Sequence, residues 1–370
     1  MNIKTTYLPG LNGLRAIAAL SVVFSHITLE LQNFNLNSFL FGVTENGTPK
    51  GLDLANYGVT IFFALSGFLI TFLLLKEKQI QEISVKKFYI RRILRIWPLY
   101  YLFLIIVLII TISSGMDINL KSLILYLFYL ANVPFIFGFS IPLLAHYWSL
   151  GVEEQFYLFW PWFIKKINNK LILTISAIVI LIIGVKLTLH FSCPGSIAER
   201  IIHISRFHRM LVGALGAVMY FQKSSFFIKI TDHKITQALS LSAVLLLLIN
   251  KFHVASVLDN EIVAVITVCL IVGQINVSNR LLNFDNKVFD FLGKISYGIY
   301  VIHPLVIYFL HKSIFPHFNL QGLAKYLIVY TLAFSLTIFI SYLSYQYFEK
   351  YFLNLKAKFS IVKSSGAKYF

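Results

Sequence analysis

The sequence predicts an all-α fold, a polytopic integral membrane helical bundle of about ten transmembrane helices plus one re-entrant or external segment. Three observations predict it. Of 370 residues, 58% are hydrophobic and only 13% are charged, whereas an average soluble domain carries about 25% charged residues. Apolar runs recur from one end of the chain to the other, each close to the roughly 20 residues a helix needs to cross the hydrocarbon core. Lys and Arg, finally, cluster in the short stretches between those runs, as they do in cytoplasmic loops of membrane proteins. That bias accounts for the net charge of +17. No nucleic-acid partner is needed, because no basic stripe with interleaved aromatics lies on a soluble module.

Eleven segments qualify in chain order: Leu14–Leu31, Tyr57–Leu75, Trp97–Ser113, Ser122–Phe137, Tyr147–Ile164, Leu171–His190, Ser205–Phe221, Ile235–Asn250, Glu261–Ile275, Ile295–Leu310 and Lys325–Phe348. Loop charge tests the count. The stretch KEKQIQEISVKKFYIRRILR after the second segment carries seven basic residues and should be cytoplasmic. Lys165–Lys170, Gln222–Lys234, Asn276–Lys294 and the stretch from Lys350 are also basic. They fall on the same side only if one segment of the first half does not cross. Ser122–Phe137 is short and runs into NVPFIFGFSIP, where prolines and glycine suit a re-entrant or external piece. Ten spans then leave both termini cytoplasmic. Residues 1–350 read as one membrane domain and 351–370 as a short basic tail.

The ends and the cysteines add little. The N-terminus lacks a clear cleavage site and reads as a retained first span. Cys193 and Cys269 match no metal or redox spacing, so no metal is expected.

Ionisable residues inside the spans cost at least about 2.5 kcal/mol each at a helix centre and usually mark function. In the first span, Arg15 and His26 lie about 16 Å apart along the axis and within roughly 20° of one face. Arg92 and Arg95 share a face entering the third span, beside Arg91. Glu153 lies about 9 Å below its helix end, next to Glu154 in HYWSLGVEEQFYLFWPW. Lys186, Arg206 and Arg209 lie near helix ends, and His303 lies nearer the middle of its span.

Each has a plainer reading. A lone histidine can serve helix packing, Arg91 to Arg95 can set topology, and Arg206 and Arg209 can snorkel. The adjacent carboxylates are harder to dismiss, and one of them is expected to pair with a cation or with His26. An inner cationic layer and an outer mixed layer suit either an enzyme or a transporter.

Five blocks carry a resemblance. LPGLNGLRAIAALSVVFSHI has Arg15 and His26 with ten residues between them. YGVTIFFALSGFLIT follows, then FYIRRILRIWPLYY with two residues between Arg92 and Arg95, HYWSLGVEEQFYLFWP, and LGKISYGIYVIHPLVI. In that order, from about Leu8 to Glu349, they resemble the membrane acyltransferase-3 family.

The resemblance implies an O-acyltransferase of the plasma (bacterial inner) membrane. It would move an acyl group, most often acetyl, from cytoplasmic acyl-CoA to a hydroxyl of a cell-surface or exported carbohydrate. Arg15, Arg92 and Arg95 would hold donor phosphates, as planar guanidinium forks do. His26 would be the general base, and Glu153 would orient its ring as a triad carboxylate does. Glu154, Arg206 and His303 are implied on the acceptor side. Ser66, Ser149 and Tyr300 are more readily helix-packing polar residues.

Two departures stand out: His208 occupies a place where relatives often carry an acid, and no proline follows Glu349. Many relatives continue into an extracellular hydrolase-like domain. Here a separate protein would handle the acceptor, with membrane lipid as the other partner. The competing reading is a transporter or flippase of a glycan or small molecule, with His26 and Glu153 as a proton relay.

Overall fold

A computed structural model describes residues 5–44, 47–167, 169–255, 257–317, 321–361 and 363–364. It is helical apart from a two-residue parallel pairing of Thr5–Thr6 with Lys363–Ser364. The helices run in order as α1 (Leu11–Glu30), α2 (Asp53–Ile80), α3 (Val85–Ser113), α4 (Leu120–Leu127), α5 (Asn132–Phe137), α6 (Trp148–Lys166), α7 (Leu171–Ser192) and α8 (Ile197–Ser205). They continue as α9 (Phe207–Phe221), α10 (Ser225–Thr231), α11 (Lys234–Leu248), α12 (Asp259–Ile275), α13 (Lys287–Lys294), α14 (Ser296–Phe309), α15 (Gly322–Ser344) and α16 (Lys350–Ala357).

The count of ten spans is not upheld. Six helices among the described residues are long and apolar enough to cross a membrane, or seven if Ile197–Phe221 and Ser225–Thr231, bent by 116°, form one broken span. The physical reason is length and charge. Helix α11 has 15 residues and rises about 22 Å, short of a core about 30 Å thick. Helix α12 has 17. Helix α6 carries Glu153, Glu154, Lys165 and Lys166 within 19 residues. Segment Ser122–Phe137 breaks into α4 and α5, helices of eight and six residues. The stretch expected to be a tail is helical as far as Ala357 and packs on α3; residues 362 and 365–370 lie outside the described part.

Helices α1, α2 and α9 form the centre, α2 and α9 being the most closely packed pair. Small residues allow it. A Cβ on Gly67 would lie 1.9 Å from the Met210 carbonyl oxygen, and one on Gly213 2.0 Å from that of Ala64. Close backbone approach of this kind is how membrane helices gain packing energy without a hydrophobic drive between them. Helices α13 and α14 flank α1 on one side, α12 flanks α2 and α9 on the other, and α3 and α6 complete the wall around a central cavity.

Candidate active site

The cavity between α1, α2, α3, α6 and α14 encloses about 750 Å³, counting its open mouth. Arg15, Arg92 and Arg95 line it, together with Ser66, Glu153, Tyr157, Ser149 and Tyr300. The three arginines named from sequence therefore meet in one place, 80 residues of chain apart. Their guanidinium groups are left open. Arg15 donates to the Asn12 Oδ1 at 3.3 Å. Arg92 lies over the rings of Phe88 and Tyr157, each 5.7 Å away, and its buried Nε has no hydrogen-bond partner among the described residues. None of the three forms an ion pair among the described residues.

Three consecutive residues of α6 are directed to three different neighbours, because successive side chains on a helix turn by about 100°. Glu153 faces the cavity, accepting from Ser66 Oγ and from Tyr157 OH one turn on. Glu154 accepts from Trp97 Nε1 of α3 at 3.2 Å. Gln155 donates to the Tyr129 carbonyl at 3.1 Å and to Asn132 Oδ1 at 2.8 Å, fixing α6 to α5. The expected pairing of Glu153 with His26 is not formed. Ser66 and Tyr157 both donate to its Oε1, and another residue takes the place beside His26.

That residue is His303. Its Nε2 lies 2.7 Å from His26 Nδ1, and the two ring centres are 4.9 Å apart. His303 is fully buried, one position before Pro304, which interrupts the α14 hydrogen-bond ladder. Its Nδ1 reaches back to the Ile299 carbonyl at 3.0 Å.

A carbonyl oxygen only accepts, so Nδ1 of His303 carries the proton and Nε2 is the acceptor. In the neutral pair His26 then donates from Nδ1, which leaves its Nε2 lone pair for chemistry. His146 stacks edge-on against His303 with centres 5.3 Å apart. Its carbonyl accepts from Tyr300 OH at 2.9 Å, and Tyr300 OH and Ser149 Oγ are 2.5 Å apart. Tyr300 and Ser149 thus form the partition between the arginine-lined cavity and the histidines. His146 was not singled out in the sequence, although it opens the block that carries Glu153.

Arg206 and Arg209 do not snorkel; they are 3% and 0% exposed. Arg206 takes a left-handed conformation (φ 49°) at the α8–α9 junction. Its guanidinium lies 4.6 Å above Trp148 and donates to Asn56 Oδ1 at 3.0 Å. Arg209 donates to Thr60 Oγ1 at 3.0 Å and approaches Glu261 Oε1 at 3.7 Å. Glu261 also takes Lys186 at 2.7 Å and His208 at 2.6 Å. The acid expected near His208 is therefore supplied from α12.

The comparisons with known proteins agree with this architecture. A family model described as an acyltransferase domain matches residues 8–346. A Staphylococcus aureus (strain COL) protein provisionally named an O-acetyltransferase is 30% identical over 94% of this chain and 57% of its own length. The peptidoglycan O-acetyltransferase OatA of Listeria monocytogenes is 30% identical over 81% of this chain and 49% of its own. The O-acetyltransferase OatA of Staphylococcus aureus (strain NCTC 8325 / PS 47) is 26% identical over 93% and 57%. The chain thus spans about half the length of the curated relatives it matches. No solved structure matches it. The chain belongs to the acyltransferase-3 family and is a multi-pass membrane protein by its several apolar helices. These relatives lend nothing to the transport reading.

Proposed function

We propose that the protein O-acetylates a glycan, taking the acyl group from acyl-CoA at the arginine end of the cavity and delivering it at the histidine end. The observation that carries this reading is the cavity joining three arginines that form no ion pair among the described residues to the Ser149–Tyr300 partition, with the His26–His303 pair behind it. Arg15, Arg92 and Arg95 offer planar donors to phosphate oxygens, on the side where loop charge places the cytoplasm. Acyl-CoA supplies an activated thioester. His26 Nε2 takes the proton of the acceptor hydroxyl as its oxygen attacks the thioester carbonyl carbon. The carbon–sulfur bond breaks, and the thiolate leaves to be protonated as the free thiol. His303 holds the His26 ring in the required tautomer, the part first assigned to Glu153.

Glu153 lines the same cavity and orders Ser66 and Tyr157, while Glu154 is turned to Trp97 of α3. The name of the Listeria relative points to peptidoglycan as the acceptor class. Arg206, buried beside Trp148, would serve the acceptor.

The test uses the purified chain in liposomes with labelled acetyl-CoA and peptidoglycan fragments. Wild type should bind donor and label glycan. Arg92→Ala should lose donor binding, and His26→Ala should bind donor without turnover. Undiminished glycan labelling by His26→Ala would end this reading.

A further inference from the structure

A second hollow of about 450 Å³ adjoins the arginine end of the cavity and shares Ile70 and Arg92 with it. Glu77, Arg91, Arg92, Lys356 and Ser360 give its polar lining, over apolar side chains of α2. Lys356 and Ser360 come from beyond the residues that match the acyltransferase family model, so nothing in the family resemblance singles them out.

The charges in this hollow do not balance. Glu77 is engaged by Arg91 at 2.9 Å and by the Ser84 backbone N–H at 2.9 Å. The other arm of Arg91 donates to the Phe359 carbonyl at 3.1 Å. That bond, together with the packing of α16 on α3, holds the C-terminal segment over the hollow and Lys356 in its wall. Arg92 and Lys356 are then left over. Arg92 Nε is buried without a partner, and no carboxylate pairs with Lys356 among the described residues. Lys356 also stands in the field of Arg15, Arg91, Arg92 and Arg95. Cations crowded together out of bulk water repel one another and lose hydration. A flexible lysine with no partner would turn outward. A lysine in this wall is explained by an anion between it and Arg92.

We propose that this hollow takes the 3′-phosphomonoester of the coenzyme A donor, with Arg92 and Lys356 as its ligands. The inference rests on the acyl-CoA reading above and extends it to one named phosphate. The order of groups in the donor decides which phosphate. From the thioester outward come the pantetheine arm, the diphosphate, and last the ribose with its 3′-phosphate. The cavity that leads to the histidines holds Arg15 and Arg95 and suits the diphosphate. The hollow on the far side of Arg92 suits the phosphate furthest from the reacting carbon.

The test measures the affinity of coenzyme A and of 3′-dephospho-coenzyme A for the full chain in phosphatidylcholine vesicles. It compares wild type, Lys356→Gln and Lys356→Arg. One charge-assisted contact predicts that wild type binds coenzyme A about tenfold more tightly than the dephospho form. Lys356→Gln should erase that preference while leaving affinity for the dephospho form unchanged, and Lys356→Arg should restore it. Equal affinities in wild type, or an equal loss for both ligands in Lys356→Gln, overturn the proposal. Wild type that binds neither ligand overturns the acyl-CoA reading itself. Phosphatidylglycerol in the vesicles is the remaining arm. If it abolishes the wild-type preference, a lipid headgroup phosphate holds the hollow and the proposal fails.

Discussion

The cations around Glu261 and those around Arg92 lie in one bundle, and they are treated in opposite ways. At the first site Lys186, His208 and Arg209 converge on a single carboxylate, with Thr60 taking a further arm of Arg209. At the second, Arg15, Arg92 and Arg95 line an open cavity, and the acid that lines it with them, Glu153, is bonded to a serine and a tyrosine instead. A buried charge with its counter-ion on the protein serves the fold. A buried charge without one is reserved for a ligand. The contrast separates ion-paired cations from open ones better than burial does, since Arg209, the more deeply buried, belongs to the ion-paired set.

The largest effect should come from breaking the closed cluster. Glu261→Ala strands Lys186 and Arg209 and should lower stability by about 3–5 kcal/mol, the range for removing one partner of a buried pair. Thermal unfolding of the purified chain in detergent reads it. A variant that unfolds with the wild type would show that this cluster is as open as the other.

The open cluster should behave in the reverse sense. Arg92→Gln removes a cation that repels Arg91 and Arg95, so unfolding temperature should hold or rise. Donor affinity should fall about ten- to a hundredfold, the worth of one or two charge-assisted bonds. Calorimetry and donor titration on the same preparation separate the two. An early-unfolding Arg92→Gln would move this arginine into the structural set and remove the basis for a phosphate site.

The sequence revealed one of these regions more readily than the other, and the reason is range. Arg15 with His26 and Arg92 with Arg95 are pairs within single helices, where spacing fixes the face, and the cavity gathers all three arginines. His26 and His303 were each visible, but their contact spans 277 positions and no periodicity encodes it. Glu153 was assigned to His26 because both are polar at similar depth. Its neighbour Tyr157, one turn on, was the local signal that it had another partner. Glu261 read as a span end, and nothing in its surroundings announced three basic partners from α7 and α9. Lys356 lay in a stretch read as tail. The count of ten spans is not confirmed for a related reason: hydropathy scores apolar runs, and helices such as α11 and α12 are apolar but only 15 and 17 residues long.

The smallest effect tests whether His303 belongs with the open site or merely packs. Its assigned work is to accept from His26 Nδ1 and so leave Nε2 as the base. Glutamine places a carbonyl oxygen the same number of bonds from the backbone as the histidine Nε2, and that oxygen can accept the same hydrogen bond. His303→Gln should therefore keep the tautomer and cost only a few-fold in kcat. His303→Ala leaves Nδ1 of His26 without its acceptor, frees the ring to turn, and should cost about 10- to 100-fold, as loss of an orienting partner does. Donor affinity should not change in either, because neither substitution touches an arginine. The readout is kcat and donor Kd measured together. If the two variants lose the same factor, or if Kd moves with kcat, the histidine is filling space between α1 and α14, and the proton on His26 must be placed by something else.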